Sequence, residues 1–413
     1  AKMKQMLSLL SAVLLFSCTT KETIIEYQEL EVPVEVERIV TQTVTQTVIV
    51  APEEYSFTRN GVPTVYYTGQ TARMKMATEL KGHMNNPAQT EANIDTMFGD
   101  GTGFDDATLD TSGKNVRSKT AASAVAASTI RPLFDGWIED FITNVAPAVN
   151  NGAVAEAGVA GEFTGPGGRT VKVNAKGLEL NQVFSKGLIG ALQTDQIVNG
   201  YLSFAKLDGA RQDNDDDIYA YTFPGHSEAN ITKMEHYWDE GFGYLQGLDN
   251  QYKAGLGEAP NRDGANLNYY LNKVNNTYDP GITERIYEAF SIGRAAIVAK
   301  DYAERDRQAA IVSSELSKVI AYKAQSYLRD TAEDIQQGDW ANALHAASEG
   351  YGFILGMQFT KTAEGSAYMD NSEVNEMLAD LIAGDGGLWS RTPAELLAMA
   401  DEIQEISGLS VVY

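Results

Sequence analysis

Apolar residues recur every three to four positions along most of this chain, which is the spacing of an amphipathic helix. The pattern predicts helices over 68–83, 112–150, 178–205, 227–245, 283–305, 306–336, 340–359 and 371–383. A further helix is expected after Thr392, which is a favoured N-cap. Pro393 then suits the first helical position, and Glu395 lies in the first turn.

Two short stretches alternate apolar and polar residues instead, as strands do. Residues 55–67 contain Asn60-Gly61, a dipeptide that favours a tight hairpin turn. Residues 161–177 contain a Gly-Pro-Gly-Gly sequence from Gly165 between two β-like runs. The predicted fold class is therefore mostly α, with two small β-hairpins.

The first 54 residues predict a targeting segment and a tether. A basic start and a short apolar run precede Leu15-Phe-Ser-Cys18, which fits the lipobox of bacterial lipoproteins. We interpret residues 1–17 as a signal peptide and Cys18 as the lipidated residue. The alternative is a cleaved secretory signal with an incidental cysteine. Residues 18–54 would then be a lipidated N-terminus and an extended tether, followed by a helical domain over 55–413.

Charge and cysteine content exclude some classes of function. The chain has 56 acidic and 32 basic residues and a formal net charge of −24, so no nucleic-acid partner is expected. Cys18 is the single cysteine, which excludes an intrachain disulfide and a cysteine-based metal site. With the lipid as its membrane contact, the expected location is the bacterial outer membrane, on the periplasmic face or the cell surface.

One ten-residue pattern occurs twice, from His236 to Leu245 and from His345 to Ile354. Both copies read His-x-x-x-Glu-Gly-aromatic-Gly-aromatic-aliphatic. Residues four apart lie on one face of a helix, so each copy places an imidazole beside a carboxylate. The two glycines allow another backbone to approach closely.

A fainter repeat lies upstream of each copy. Phe184-Ser-Lys with Gln193 corresponds to Leu316-Ser-Lys with Gln325. We infer two related helical-bundle halves, with a pseudo-twofold axis between them and an insertion in the first half. This symmetry would bring the two His/Glu pairs near each other or place them at equivalent points of two bundles.

Several motifs in order resemble a known family. They begin at Tyr66 (Tyr-Tyr-Thr-Gly-Gln-Thr-Ala-Arg), at Glu179 (Glu-Leu-Asn-Gln-Val-Phe-Ser-Lys-Gly-Leu-Ile-Gly-Ala-Leu) and at both motif histidines. From about residue 55 to the C-terminus the chain resembles an uncharacterised group of Bacteroidetes-type lipoproteins, the domain of unknown function 4856 family. The resemblance implies no activity, because the family has none assigned.

A more distant resemblance is to imelysin-like proteins, which are all-α, have two bundle-like halves and are often iron-regulated. Their signature is Gly-x-His-x-x-Glu. His236 and Asp239 overlay its His and Glu, but Met234 replaces the Gly, and the second copy has Ser348 at the carboxylate position. The resemblance implies a role in iron uptake. The departures fall on residues of the signature, to which the peptidase or metal activity of that family is linked.

The motif residues are the predicted metal ligands: His236, Glu240, His345 and Glu349, with Asp239 beside them. Imidazole and carboxylate on facing helices bind iron, manganese or zinc, and iron or zinc is the expected cofactor. The alternative is that each pair hydrogen-bonds helix ends or its own partner in a polar interface. Acidic loops at 100–106 and 213–217 are candidate calcium sites, although neither has EF-hand spacing.

Aromatic residues near the motifs predict a ligand pocket for haem or another flat molecule, lined by Tyr237, Trp238, Tyr244 and Tyr351. The same helical spacing is also typical of an ordinary core. The chain has no nucleophile elbow, phosphate loop or His-Glu-x-x-His sequence, so an enzyme is not expected.

Three functions remain open. The first is a lipid-anchored envelope binding or accessory protein in iron or haem acquisition, with an outer-membrane receptor as candidate partner. The second is a metal-dependent hydrolase of imelysin type. The third is a structural or partner-binding surface lipoprotein. A bound transition metal would favour the first two.

Overall fold

Helices make up most of the computed structural model, which describes residues 19–25, 43–248 and 264–411. The predicted class, mostly α, is confirmed. The α-helices are α1 (Thr68–His83), α2 (Glu91–Asp95), α3 (Ala107–Asp110), α4 (Ala124–Asp140), α5 (Ala146–Asn150), α6 (Leu180–Leu188), α7 (Phe204–Asp208), α8 (Arg211–Asp215), α9 (Lys233–Gln246), α10 (Leu267–Thr277), α11 (Ile282–Ala299), α12 (Tyr302–Gln336), α13 (Trp340–Gly356), α14 (Asn371–Leu381) and α15 (Pro393–Ser407).

Strands in the described ranges form antiparallel pairs. They are β1 (Thr19–Ile25) with β2 (Thr43–Ile49), β3 (Thr58–Arg59) with β4 (Val62–Pro63), β5 (Gly161–Thr164) with β6 (Thr170–Val173), and β7 (Tyr219–Thr222) with β8 (Ala229–Thr232). Both predicted hairpins are confirmed. In β3–β4 the turn residues Asn60 (φ 51°) and Gly61 (φ 78°) adopt the left-handed region that such a turn requires.

The β7–β8 pair corrects the helix predicted over 227–245. Residues 229–232 form the second strand, and α9 begins only at Lys233. Thr232 and Glu235 close a capping box there, in which each side chain accepts a hydrogen bond from the other residue's backbone N–H.

β1 and β2 lie in the segment for which the sequence predicts an unpaired tether. The backbone is extended, as the alternation predicts, but the two strands pair in register from Thr19 with Ile49 to Ile25 with Thr43. Pairing satisfies backbone groups that an isolated strand leaves to water. Ile49 also packs against the helical core.

Membrane attachment falls largely outside the described residues. The signal peptide predicted over 1–17, the lipidated Cys18 and residues 26–42 of the predicted tether all lie outside them. Within the described ranges, every helix is too short or too polar to cross a membrane. The lipid anchor and the outer-membrane location stay predictions.

The core is organised around α12, whose 35 residues extend about 50 Å. It packs against α10, α11, α13 and α15, and α13 in turn packs against α6. Helix α6 continues through π-helical turns at Ile189–Thr194 and Gln196–Tyr201. Residues 180–201 therefore form one uninterrupted helical segment, which we call the connecting helix. Its C-terminal part packs against α9.

Other helix boundaries differ from the predicted ones for local reasons. The break predicted after residue 305 lies at Lys300 (φ 60°), and Asp301 then caps α12 by accepting the backbone N–H of Glu304 at 3.0 Å. The helix predicted from residue 112 begins as α4 at residue 124, where Ser123 is the N-cap. Pro132 lies within α4 rather than breaking it.

The upstream repeat has a structural counterpart. Gln193 Oε1 accepts the backbone N–H of Leu267 at 2.6 Å, and Gln325 Oε1 accepts that of Val411 at 3.3 Å. Both buried glutamines therefore hold a chain segment from elsewhere in the sequence against their own helix. The pseudo-twofold relation of the two halves stays a prediction.

Candidate functional site

Both copies of the motif are helical, and each places its histidine beside its glutamate. In α9, Nε2 of His236 lies 3.9 Å from Oε1 of Glu240. In α13, Nε2 of His345 lies 3.6 Å from Oε2 of Glu349. The four-residue spacing has the predicted effect in both copies.

The structure does not gather the two pairs into one metal site. Glu349 contacts Lys186 near the start of the connecting helix, whereas Glu240 contacts Tyr201 at its end. Lys186 and Tyr201 are fifteen positions apart along this helical segment, so the two contacts lie several helical turns apart. Facing halves are required for a four-ligand site, and the connecting helix keeps the pairs apart.

Gly352, the second glycine of the second copy, lies at a close contact with another backbone, as predicted, whereas Gly241, Gly243 and Gly350 face side chains. A Cβ on Gly352 would collide with the Lys186 side chain and lie 2.7 Å from the backbone nitrogen of Gly187. One turn further, a Cβ on Gly190 would lie 2.5 Å from the Cα of Gly356. Only glycine permits this approach of α13 to the connecting helix.

The second copy is a buried cluster whose polar groups are paired. Nδ1 of His345 lies 2.6 Å from Oε2 of Glu179. Lys186, which is fully buried, donates from Nζ to the carbonyl oxygen of Gly264 at 2.5 Å and lies 3.1 Å from Oε1 of Glu349. These contacts join α13 to the connecting helix and to the segment before α10.

Electrostatics fix the charge state of this cluster. Burial opposes the ionised form of Glu349, but Lys186 and His345 outweigh it and lower the pKa of the carboxyl to about 2. Tyr270 also donates to Glu349 at 3.2 Å. Nearby, burial lowers the pKa of Lys323 to about 8. The second copy is therefore an ion pair inside a polar interface, which is the arrangement expected if the motif has a structural role.

The first copy is different, because the His236 side chain has no hydrogen bond to any residue in the described ranges. Its ring lies between those of Tyr66 and Tyr221, at centroid distances of 4.5 and 4.2 Å, with 9% of the side chain exposed. Within the described residues its buried Nδ1 has no hydrogen-bond partner, and 3.9 Å from Nε2 to Glu240 exceeds hydrogen-bond length. Burial lowers the pKa of His236, which favours the neutral ring, and Nδ1 is then an unused donor or acceptor.

Glu240 forms the partly open side of this site, with 20% of its side chain exposed. Gln70 donates to its Oε1 at 2.8 Å and Tyr201 at 3.3 Å. Lys119 lies beyond Tyr201 and donates to its hydroxyl at 3.4 Å. We call Tyr66, Tyr221, His236 and Glu240 the His236 site. Its carboxylate thus contacts two neutral donors.

Asp239 is committed to a buried ion-pair network on another face of α9. Its Oδ1 lies 3.0 Å from Nε of the fully buried Arg294 and accepts the hydroxyl of Tyr55 at 2.7 Å. Arg294 also donates to Glu235 at 3.0 Å. Burial opposes the charge of Glu235, but Arg294 and Arg59 lower its pKa to about 2. Burial raises the pKa of the Asp239 carboxyl to about 7 although Arg294 opposes this shift. The polar partners of Asp239 are thus Arg294 and Tyr55, and its role as a metal ligand stays a prediction.

Three of the four predicted pocket aromatics belong to the core. Trp238 is fully buried and donates to the carbonyl oxygen of Phe290 at 2.9 Å. Tyr244 and Tyr351 are buried as well, so their helical spacing reflects packing rather than a pocket. Tyr237 alone is partly exposed, with the ammonium of Lys206 4.3 Å from its ring centre.

Several carboxylates of the two acidic stretches are engaged within the protein, and residues 213–215 lie in α8 instead of a loop. In the stretch 213–217, Asp213 and Asp217 accept from lysines at 2.8 and 3.1 Å, and Asp215 accepts the Tyr302 hydroxyl at 2.5 Å. In the stretch 100–106, Asp106 caps α3. Calcium binding by these loops stays a prediction.

Sequence reasoning did not identify four residues that define the two environments: Lys186, Arg294, Tyr66 and Tyr221. A signal existed for Arg294, which is the one charge in the apolar run from Ile292 to Ala299 and so predicts a buried ion pair. Lys186 is part of the repeated Phe-Ser-Lys sequence. The two tyrosines are revealed only by the fold, because one lies before α1 and the other in β7.

Comparison with known proteins identifies a family. The family described as Domain of unknown function (DUF4856) matches residues 52–410. No curated protein and no solved structure matches the chain. The kinship with imelysin-like proteins and the Bacteroidetes-type origin stay predictions.

Proposed function

We propose that this chain, which belongs to the family described as Domain of unknown function (DUF4856), is an iron- or haem-binding accessory protein of the bacterial envelope. In this proposal a lipid on Cys18 holds the helical body at the outer membrane. The His236 site binds the ligand, and an outer-membrane receptor is the candidate partner that exchanges it.

One observation carries the proposal: the unsatisfied His236 between two tyrosine rings. A buried polar group without a partner costs about 1–3 kcal/mol, so its retention suggests that a ligand completes it. Imidazole and carboxylate groups bind iron, and the iron of haem takes His or Tyr as a protein ligand. Tyr66, Tyr221, His236 and Glu240 supply these groups at a partly exposed position.

The two alternatives have less support. An imelysin-type hydrolase that uses both motif copies would require their ligands to meet, and the connecting helix separates them. A structural role suits the second copy, where Glu349 is paired with Lys186. It leaves Nδ1 of His236, which has no partner among the described residues, unexplained.

The test is a binding measurement on the purified chain without a histidine tag. Haem binding is followed by its absorbance and ferric iron by mass spectrometry, for the wild type, His236→Ala and His345→Ala. We expect His236→Ala to weaken binding at least tenfold, because it removes the unpaired Nδ1, and His345→Ala to retain it. Absence of both ligands from the wild type, or equal binding by His236→Ala, would refute the proposal.

A further inference from the structure

A separate group of metal-ligand side chains lies at the C-terminal end of α1. We propose that Glu79, His83 and Asp105 bind a divalent transition-metal ion, with Zn²⁺ as the ion that fits best. Helix α1 reaches the His236 site through Gln70, and Glu79 and His83 lie about 14 and 20 Å further along the helix. The inference is therefore independent of the iron- or haem-binding site.

The three side chains come from two segments that the fold brings together. Glu79 and His83 are four residues apart and share one face of α1. Asp105 comes from the loop that precedes α3. In the described part of the chain, they are the one group of three His, Cys, Asp or Glu residues whose ligand atoms all lie within 4.8 Å of one another.

The loop is fixed against α1 by Glu79 itself. Oε2 of Glu79 accepts the backbone N–H of Asp105 at 2.8 Å, and Oε1 accepts that of Asp106 at 3.3 Å. Each carboxylate oxygen has a second lone pair for a cation. These bonds orient Glu79 in the way that outer partners orient metal ligands, and they hold Asp105 beside His83.

Among the described residues, the His83 side chain has no hydrogen bond that holds it in this position. Its Nδ1 is buried without a partner among the described residues, and its Nε2 lies 3.6 Å from Oδ2 of Asp105. Only 16% of the side chain is exposed, so solvent has limited access to the ring. An imidazole with an unpaired ring nitrogen close to two carboxylates is a metal-ligand arrangement.

The donor set selects the class of ion. One imidazole and two carboxylates supply three ligands, and a water molecule completes the four-coordinate geometry of zinc. Calcium prefers six to eight oxygen ligands, which this group does not supply. Binding would fasten the loop to α1 through the ion as well as through the two backbone hydrogen bonds.

The test is a calorimetric titration of the purified full chain with Zn²⁺. Asp105→Asn and His83→Gln each remove one ligand, and Asp105, which is 87% exposed, can be changed without disturbing the core. Asp100→Asn is the matched control, since it makes the same charge change outside the group, at the end of the π-helical turn Thr96–Asp100 that precedes the loop. We expect one Zn²⁺ per chain, a Kd raised at least tenfold by either ligand variant, and no change in the control.

Three results would overturn the proposal. The first is a wild type without saturable binding below about 1 mM Zn²⁺, a concentration at which a site contributes only about 4 kcal/mol. The second is an unchanged Kd in Asp105→Asn. The third is loss of the bound Zn²⁺ in His236→Ala alone, which would place the ion at the other site.

Discussion

The two copies of the repeated motif begin from the same helical geometry and end in opposite environments. In the second copy, Lys186 and Glu179 satisfy the glutamate and the histidine. In the first, His236 lies between two tyrosine rings with Nδ1 unpaired, and Glu240 faces neutral donors. The sequence spacing determines which side chains share a helix face. The residues that pack against that face from elsewhere in the chain determine their hydrogen bonds and ion pairs.

Two positions outside the shared pattern account for this difference. The residues one before and three after the histidine are Glu235 and Asp239 in the first copy, and Leu344 and Ser348 in the second. The two acids engage Arg294, so that buried cation is directed away from the motif glutamate. In the second copy these acids are absent, and the buried cation Lys186 pairs with the motif glutamate itself.

The largest effect is expected from Arg294→Met. The change leaves Glu235 and Asp239 buried without their cation and should lower the free energy of unfolding by about 3–5 kcal/mol. Denaturation by urea measures it. The control is Arg307→Met, which removes an exposed ion pair with Glu304 and should cost less than about 1 kcal/mol. Similar losses in both variants would show that the network does not stabilise the first copy.

Lys186→Met makes the corresponding change in the second copy. We expect a loss of about 3 kcal/mol, because Glu349 is left as an uncompensated buried charge. Adding Glu349→Gln should recover part of this loss, since the double variant buries no charge at this point. A double variant no more stable than Lys186→Met would contradict an ion pair that stabilises the cluster.

Gly352→Ala tests the close helix contact beside that cluster. The new methyl group would overlap Lys186 and Gly187, so we expect a loss of about 1–3 kcal/mol in urea denaturation. Gly136→Ala in α4 is the control, because nothing lies within 4 Å of the added Cβ. It should stabilise the protein by about 0.5–1 kcal/mol through helix propensity. Equal changes in the unfolding free energy of the two variants would mean that the close contact between α13 and the connecting helix is not required for stability.

The two histidines provide the most direct comparison. His345→Ala and His236→Ala both remove a largely buried ring, but only the first breaks a hydrogen bond to a buried carboxylate. We therefore expect His345→Ala to be the more destabilising by about 1–2 kcal/mol in thermal or urea unfolding. The reverse order would contradict a structural role for the second copy.

A pH dependence is also expected. Burial lowers the pKa of Lys323 from its ordinary 10.5 to about 8. Between these values the unfolded chain holds a proton that the folded protein has released, so this group makes stability rise with pH. The measurement compares the unfolding free energies of the wild type and Lys323→Met. From pH 8 to 10, the unfolding free energy of the wild type should rise relative to that of the variant. A constant difference would mean that Lys323 titrates normally.

Local features were predictable from the sequence, and long-range partners were not. Helical spacing correctly placed His345 beside Glu349, and Asn60-Gly61 correctly indicated a turn. The boundary between α11 and α12 lies at Lys300, where no glycine or proline marks it. Hydrophobic periodicity does not show that a lysine adopts a left-handed backbone conformation. The pairing of Lys186 with Glu349 joins distant parts of the chain, which no local pattern contains.

The contact between Gly190 and Gly356 has a consequence for substitutions elsewhere in the protein. The packing of α13 on the connecting helix rests on these glycines and on the second copy, which lie apart from the residues around His236. Changes at Tyr66 or Tyr221 would therefore alter the surroundings of His236 and leave this helix packing in place.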